Sequence, residues 1–146
     1  MALELTGRDL CIAQVEAVAR GGEQVVLGAD ARRRVAECEA ALDRMMADGT
    51  PIYGVTTGFG ALDGRKVAGS DNVQLQRNLL RSHAAGVGEP MSIADTRAMM
   101  LVRANVLASG LVGVQLAALE ALLAMLNRGV TPRVPVRGSV GACGDL

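Results

Sequence analysis

Apolar residues recur along this chain mainly at helical spacing, and glycine or proline marks most of the breaks. Leu10, Ile12, Val15 and Val18 predict a helix over 7–20, ended by Gly21-Gly22, because glycine accepts the left-handed backbone past a helix C-terminus. Val35, Cys38, Leu42, Met45 and Met46 predict a second helix, capped by Asp30, running to Ala47 and closed by Asp48-Gly49. Ser70 is the expected cap of a third helix through Ser82, and Ser92 with Asp95 forms a capping-box pattern opening a fourth that reaches Ala108. The most apolar stretch is LVGVQLAALEALLAML, Leu111 to Leu126; Gly110 and Gly113 interrupt before its helix, Gly129 ends that helix, and a helix apolar nearly all round belongs inside a bundle. Leu3–Leu5 and Val25–Leu27 are short strand candidates, and Thr50–Gly69 reads as an irregular, glycine-punctuated loop. Beyond Gly129, Pro132 and Pro135 force extended backbone. The fold class is therefore mainly α, with a few short strands and one glycine-rich loop.

Composition narrows the functions. Fifteen basic residues balance fifteen acidic ones, so no basic stripe favours nucleic acid or an anionic membrane surface. Arg32, Arg33 and Arg34 form a short cluster that reads as a solvated helix face. The opening MALELTGRDL has neither the basic nor the apolar region of a secretion signal, and 111–126 is too short to span a bilayer. Three cysteines without paired spacing point to a reduced, cytoplasmic protein, with Cys11 and Cys38 as small buried apolar residues. One histidine and three scattered cysteines do not make a metal-ligand pattern. No phosphate-binding fingerprint points to a nucleotide either. With one Tyr, one Phe and no Trp, the core must be built from Leu, Val, Ala and Met.

The segment GSVGACGDL, Gly138 to Leu146, carries the least ordinary chemistry. In one reading it is a glycine-rich turn before a helix, with Asp145 at the positive helix end. In the other, the amide nitrogen of Gly144 attacks the carbonyl carbon of Ala142 and water leaves. Elimination of the Cys143 sulfur as hydrogen sulfide then leaves an exocyclic methylidene on a five-membered imidazolone ring. Ring closure demands a compressed backbone, which Gly144 tolerates because it has no Cβ. The product is an electrophile that no ordinary side chain supplies.

GSVGACGDL resembles the signature of the methylidene-imidazolone (MIO) enzymes, the histidine, phenylalanine and tyrosine ammonia-lyases and related aminomutases. Those proteins carry Ser where this chain has Cys143. Two further segments agree in order. PIYGVTTGFG, Pro51 to Gly60, is similar to the loop bearing that family's catalytic tyrosine, and LLRSHAAGVG, Leu79 to Gly88, to its substrate-selecting segment. The resemblance implies that residues 1–146 are the N-terminal MIO-bearing domain of a large helical lyase, whose C-terminal helical region or a partner chain lies outside this sequence. It implies a homotetramer, MIO as the only cofactor, and no metal or nucleotide.

Each site residue also has a plainer reading. Tyr53 could simply pack a loop; the resemblance makes it the base that removes the substrate β-proton. A phenol needs nearby donors or positive charge for that work. His83 could be a satisfied polar residue at a helix end; the resemblance places Ser82-His83 against the substrate side chain, where an imidazole can hydrogen-bond another imidazole or a phenol. Gly58 and Gly60 permit loop turns, and Phe59 packs the loop. The implied reaction is L-histidine to urocanate and ammonia. A tyrosine 2,3-aminomutase is the alternative, suggested by Arg81-Ser82-His83 and Asn127 to Pro132. A third reading is a non-catalytic fragment or unmatured precursor, suggested by Cys143 and the end at Leu146.

Overall fold

The computed structural model describes residues 2–62, 64–65, 67 and 71–138. They form two compact units, Met1–Leu42 with Pro90–Val134 and Asp43–Glu89 with Pro135–Leu146.

In the first unit, β1 (Leu3–Leu5) and β2 (Val25–Leu27) pair in parallel, with Leu3 opposite Val25 and Leu5 opposite Leu27. A parallel pair cannot be joined by a tight turn, and here helix α1 (Ile12–Ala19) makes the crossover. Leu3 and Leu5 are buried while Glu4 between them is exposed, the two-residue alternation of a strand with one covered face. The predicted start of α1 at residue 7 is five residues early. Gly7 has φ +74° and Asp9 φ +53°, so the right-handed helix cannot begin until Cys11. Tertiary packing imposes this. A Cβ on Gly7 would lie 2.4 Å from the Ser109 nitrogen, so the chain must pass the end of another helix at glycine distance. Cys11 is consequently an exposed residue at the helix start, and Cys38 is only half-buried; neither is the core residue expected.

Helix α2 (Ala29–Ala47) starts one residue before its predicted cap, so Asp30 sits in the first turn, where its charge favours the positive helix end. The Arg32–Arg34 cluster is only partly a solvated face. Arg33 pairs with Asp30 and Glu37 in solvent, and Arg32 with Glu120. Arg34 instead donates to the Thr6 and Ser109 carbonyls at 2.6 and 3.1 Å, fastening the loop before α1 to the chain just past residue 108. Helix α4 (Ile93–Ala108) begins as predicted, with Ser92 Oγ accepting from the Asp95 amide at 3.0 Å. Helix α5 (Leu116–Asn127) begins five residues later than its apolar run. Its first amide, that of Leu116, donates to Glu39 Oε2 at 3.0 Å, so a carboxylate from α2 caps it.

The core between these elements holds Leu5, Val18, Val25, Val35, Leu101, Ala104, Leu119 and Leu126, with no aromatic ring. Arg97 is buried in it, with no ion pair to a carboxylate among the described residues. Its guanidinium donates to the Val18 carbonyl (2.9 Å) and the Leu126 carbonyl (2.9 Å), each in the last turn of a helix. The last-turn carbonyls and negative dipole ends of α1 and α5 thus share one cation. Asn127 closes the edge of β2 as a strand would, accepting from Val25 N and donating to Val25 O, both at 2.8 Å. Among the described residues, no helix is long and apolar enough to cross a membrane.

The second unit contains the last turn of α2, the loop from Thr50, helix α3 (Asn72–His83) and a two-stranded ribbon of β3 (Val87–Pro90) with β4 (Pro135–Arg137). The predicted cap of α3, Ser70, lies outside the described residues. The extended backbone expected around Pro135 is found as β4, whereas β3 was not expected, since VGEP has the glycine and proline of a loop.

Candidate active-site segments

The Tyr53 loop is stitched by its own threonines. The amides of Val55 and Thr56 both donate to the Ile52 carbonyl, making one helical turn across Tyr53 and Gly54. Thr56 Oγ1 accepts from Ile52 N at 2.8 Å and donates to the Thr50 carbonyl at 3.1 Å. Thr57 is buried, accepts from Gly54 N at 3.2 Å and donates to the Gly58 carbonyl at 3.0 Å. Gly54 has φ +71°, and a Cβ there would meet the Phe59 ring at 2.5 Å, so ring and turn are pressed together.

This turn presents Tyr53 outward. Its ring stands edge-on to Phe59, centroids 5.8 Å apart at 82°, an arrangement suited to the ring quadrupoles. Phe59 packs the loop as predicted. The phenol is 63% exposed, and its oxygen accepts from the Gly60 amide at 3.1 Å. Gly60, at φ +54°, makes the turn that aims this amide; Gly58 is needed for close approach, since a Cβ there would lie 2.5 Å from the Leu62 carbonyl oxygen.

Helix α3 carries the other candidate residues and is tied to the same loop. Gln76 Nε2 donates to the Gly54 carbonyl at 3.0 Å. His83 lies seven residues further on, about 10 Å along the helix axis. In the last turn, Ser82 Oγ donates to the Leu79 carbonyl at 2.9 Å, and His83 Nδ1 lies 3.1 Å from that carbonyl and 2.9 Å from Ser82 Oγ. A carbonyl only accepts, so this network assigns the proton of the neutral ring to Nδ1 and leaves Nε2 as the acceptor. Ser82 therefore orients His83. Sequence reasoning singled out Tyr53, Ser82 and His83 but missed Gln76, Thr56 and Thr57. The adjacent hydroxyls of the Thr-Thr pair were a signal for a side-chain-stabilised turn; Gln76 offered none.

Past His83 the chain turns at Ala84–Gly86 into β3. Gly86 sits against Pro135 of β4, where a Cβ would be 3.1 Å from the proline Cγ. β4 then leads toward Ala142, Cys143 and Gly144, the predicted electrophile precursors, which lie outside the described residues. A separate cleft of about 650 Å³ opens between the end of α2 and the loop, walled by Met46, Pro51, Val55 and Asn72; neither Tyr53 nor His83 lines it.

Comparison with known proteins supplies the wider frame. A family model for the aromatic amino acid lyases matches residues 10–146. A histidine ammonia-lyase from Anaeromyxobacter dehalogenans (strain 2CP-C) is 51% identical over 144 residues, covering 99% of this chain and 28% of that protein. Among solved structures, ergothionase from Treponema denticola, an ergothioneine-degrading enzyme, superposes with TM-score 0.92 at 34% identity, covering 96% of this chain and 28% of that one. Tyrosine aminomutase from Streptomyces globisporus gives TM-score 0.91 at 35% identity, covering 95% and 26% respectively. The chain thus spans just over a quarter of the length of the curated relatives it matches.

Proposed function

Because the chain belongs to the aromatic amino acid lyase family, we propose that it is the N-terminal, electrophile-bearing domain (residues 1–146) of a histidine ammonia-lyase, which releases ammonia from L-histidine and leaves urocanate. The observation that carries the substrate class is the last turn of α3. With Nδ1 of His83 committed to Leu79 and Ser82, Nε2 is an acceptor for a polar substrate ring, and an imidazole N–H or a phenol O–H satisfies it. The 51% identity to a histidine ammonia-lyase supports histidine within that class.

The tripeptide Ala142-Cys143-Gly144 fits the prosthetic group chemically. Gly144 lets the backbone compress, and Cys143 offers a β-sulfur that leaves as hydrogen sulfide. When formed, MIO supplies an electrophilic carbon for the substrate amine and so makes nitrogen a better leaving group. Part of the remaining work falls to side chains of this chain. Tyr53 takes the β-proton, with the Gly60 amide donating to the oxygen that carries the charge of the base. His83, steadied by Ser82, holds the substrate ring so that the β-carbon stays within reach of that oxygen.

By itself this segment does not turn over substrate. The exposed apolar residues Val73 and Leu80 on α3, and Met99, Val102 and Val106 on α4, fit a C-terminal helical region and a homotetrameric assembly that cover them. The protein works in the cytoplasm, binding neither membrane nor nucleic acid.

The tyrosine aminomutase reading draws on the likeness just described, but one of its sequence supports has a structural explanation. The Asn127 side chain engages both its oxygen and its amide nitrogen in closing the edge of β2. Product analysis of the complete enzyme tests the choice. Urocanate and ammonia from histidine are expected; β-tyrosine from tyrosine, with no turnover of histidine, would replace the lyase reading by the aminomutase one.

A further inference from the structure

Helix α3 is covered along one face only. Asn72, Leu75, Gln76, Leu79 and His83 are half-buried, and its other residues are exposed. Their spacing of three and four makes a single stripe along a helix. Gln76 and His83 are seven residues apart, about two turns, so they stand one above the other on that stripe. At the first of these positions the Gln76 amide meets the Tyr53 turn, donating to the Gly54 carbonyl at 3.0 Å. At the second, His83 offers Nε2 to a substrate ring. Turn and helix belong to the same compact unit.

The amide takes hold where the turn is least able to hold itself. Gly54 directly follows Tyr53, has φ +71°, and is of the residue type with the widest backbone freedom. A side chain cannot stiffen it, because a Cβ would lie 2.5 Å from the Phe59 ring. Both of its polar groups are instead held by side chains of other residues. Its amide donates to Thr57 Oγ1 at 3.2 Å, and its carbonyl accepts from Gln76. Thr57 belongs to the loop and fixes the internal shape of the turn. Gln76 belongs to the helix of His83, and so fixes where the turn stands relative to that helix.

We propose that Gln76 is a positioning residue for Tyr53: by holding the Gly54 carbonyl it keeps the phenol oxygen at the distance from the His83-bound substrate ring that removal of the β-proton requires. The inference rests on the proposed function, because it needs Tyr53 to be the base. No bond to substrate forms or breaks at Gln76, and its whole effect passes through the placement of Tyr53.

Steady-state kinetics of the complete enzyme on L-histidine test this with Gln76→Met, Gln74→Met, and each of them combined with Tyr53→Phe. Methionine matches glutamine in length and removes the donor. Gln74 is the control, exposed on the same helix, where its Nε2 donates to Asn78 Oδ1 at 2.8 Å rather than to the turn. Gln76→Met is expected to lower kcat about 10- to 100-fold, the scale of a misplacement of about 1 Å at the reacting atoms. KM should change by less than about twofold, since the substrate ring is still held. Gln74→Met should leave both constants unchanged. In the Tyr53→Phe background, Gln76→Met should lower the residual rate by less than about twofold, because a base already removed cannot be misplaced. Should Gln76→Met lose its far-ultraviolet helix signal, Gln76→Glu, which keeps the shape and loses the donor at neutral pH, is taken through the same measurements. Unchanged kcat in the Gln76 variants, an equal loss in Gln74→Met, or a loss undiminished by Tyr53→Phe overturns the positioning role and leaves the proposed function standing. A parent enzyme that acts on tyrosine alone overturns the histidine reading, and the same comparison on tyrosine then decides for Gln76. A parent that turns over neither amino acid overturns both.

Discussion

The two units of this chain differ in what they are made of. Every fully covered apolar side chain among the described residues, from Leu3 and Leu5 to Leu123 and Leu126, belongs to the unit Met1–Leu42 with Pro90–Val134. In the unit that carries Tyr53, Ser82 and His83, the buried described residues are Thr57 and Gly58, which bring no apolar side chain with them. Helix α3 there buries none of its residues, and Leu80, one turn before His83, is 72% exposed. One unit is held by the hydrophobic effect and the other by hydrogen bonds inside a glycine-rich loop. The buried apolar core and the proposed chemistry thus fall in different units, and the unit carrying Tyr53 and His83 presents apolar surface that these residues do not cover.

The largest effect expected from that separation is on rate alone. Tyr53→Phe removes one hydroxyl from an exposed ring whose described hydrogen bond comes from the Gly60 amide. In the complete enzyme kcat should fall about 10²- to 10⁴-fold, the range for loss of a positioned base. The midpoint of urea denaturation should move by less than about 0.5 kcal/mol equivalent. A variant with unchanged kcat removes Tyr53 from the mechanism; one that loses stability in step with activity dissolves the separation.

Next comes a matched pair of leucines. Leu101 is 0% exposed in the core, and Leu101→Ala should cost about 2–5 kcal/mol in unfolding free energy through lost transfer energy and the cavity left behind. Leu80→Ala makes the same chemical change at an exposed position and should cost less than about 0.5 kcal/mol in the 146-residue chain. In the complete enzyme, a loss at Leu80 approaching that at Leu101 would show that the missing surface is supplied there. Denaturation of both variants in both contexts gives the four numbers needed.

What could be read from the sequence divides along a related line, between local and distant causes. Ser92 was legible as a cap because its partner, the Asp95 amide, is three residues away. The strands Leu3–Leu5 and Val25–Leu27 were legible as strands from their side chains, but not as partners, since nothing local announces a parallel pairing across a helix. The late start of α1 and the cap of α5 were hidden for the same reason. Gly7 and Asp9 take positive φ beside the end of α4, and Glu39, on another helix, provides the cap at Leu116. In the site, Tyr53, Ser82 and His83 stood out because whole motifs surround them. Gln76 did not, because its role is set by a carbonyl 22 residues away.

Glu39 offers the smallest and most specific test of how the larger unit is assembled. The residue before α5, Gln115, makes no side-chain cap, so the described cap of this helix is a carboxylate from α2. A carboxylate at a helix N-terminus acts in two ways, as an acceptor for a free amide and as a charge facing the positive dipole end. Glu39→Gln keeps an acceptor and loses the charge, so it should cost only a few tenths of a kcal/mol, with reduced sensitivity to salt. Glu39→Ala loses both and should cost about 1 kcal/mol, comparable with Ser92→Ala at the start of α4. Urea denaturation of the three variants at low and high salt measures this. Equal costs for Gln and Ala would assign the whole effect to charge, and no cost for either would mean that solvent caps Leu116 as well as Glu39 does.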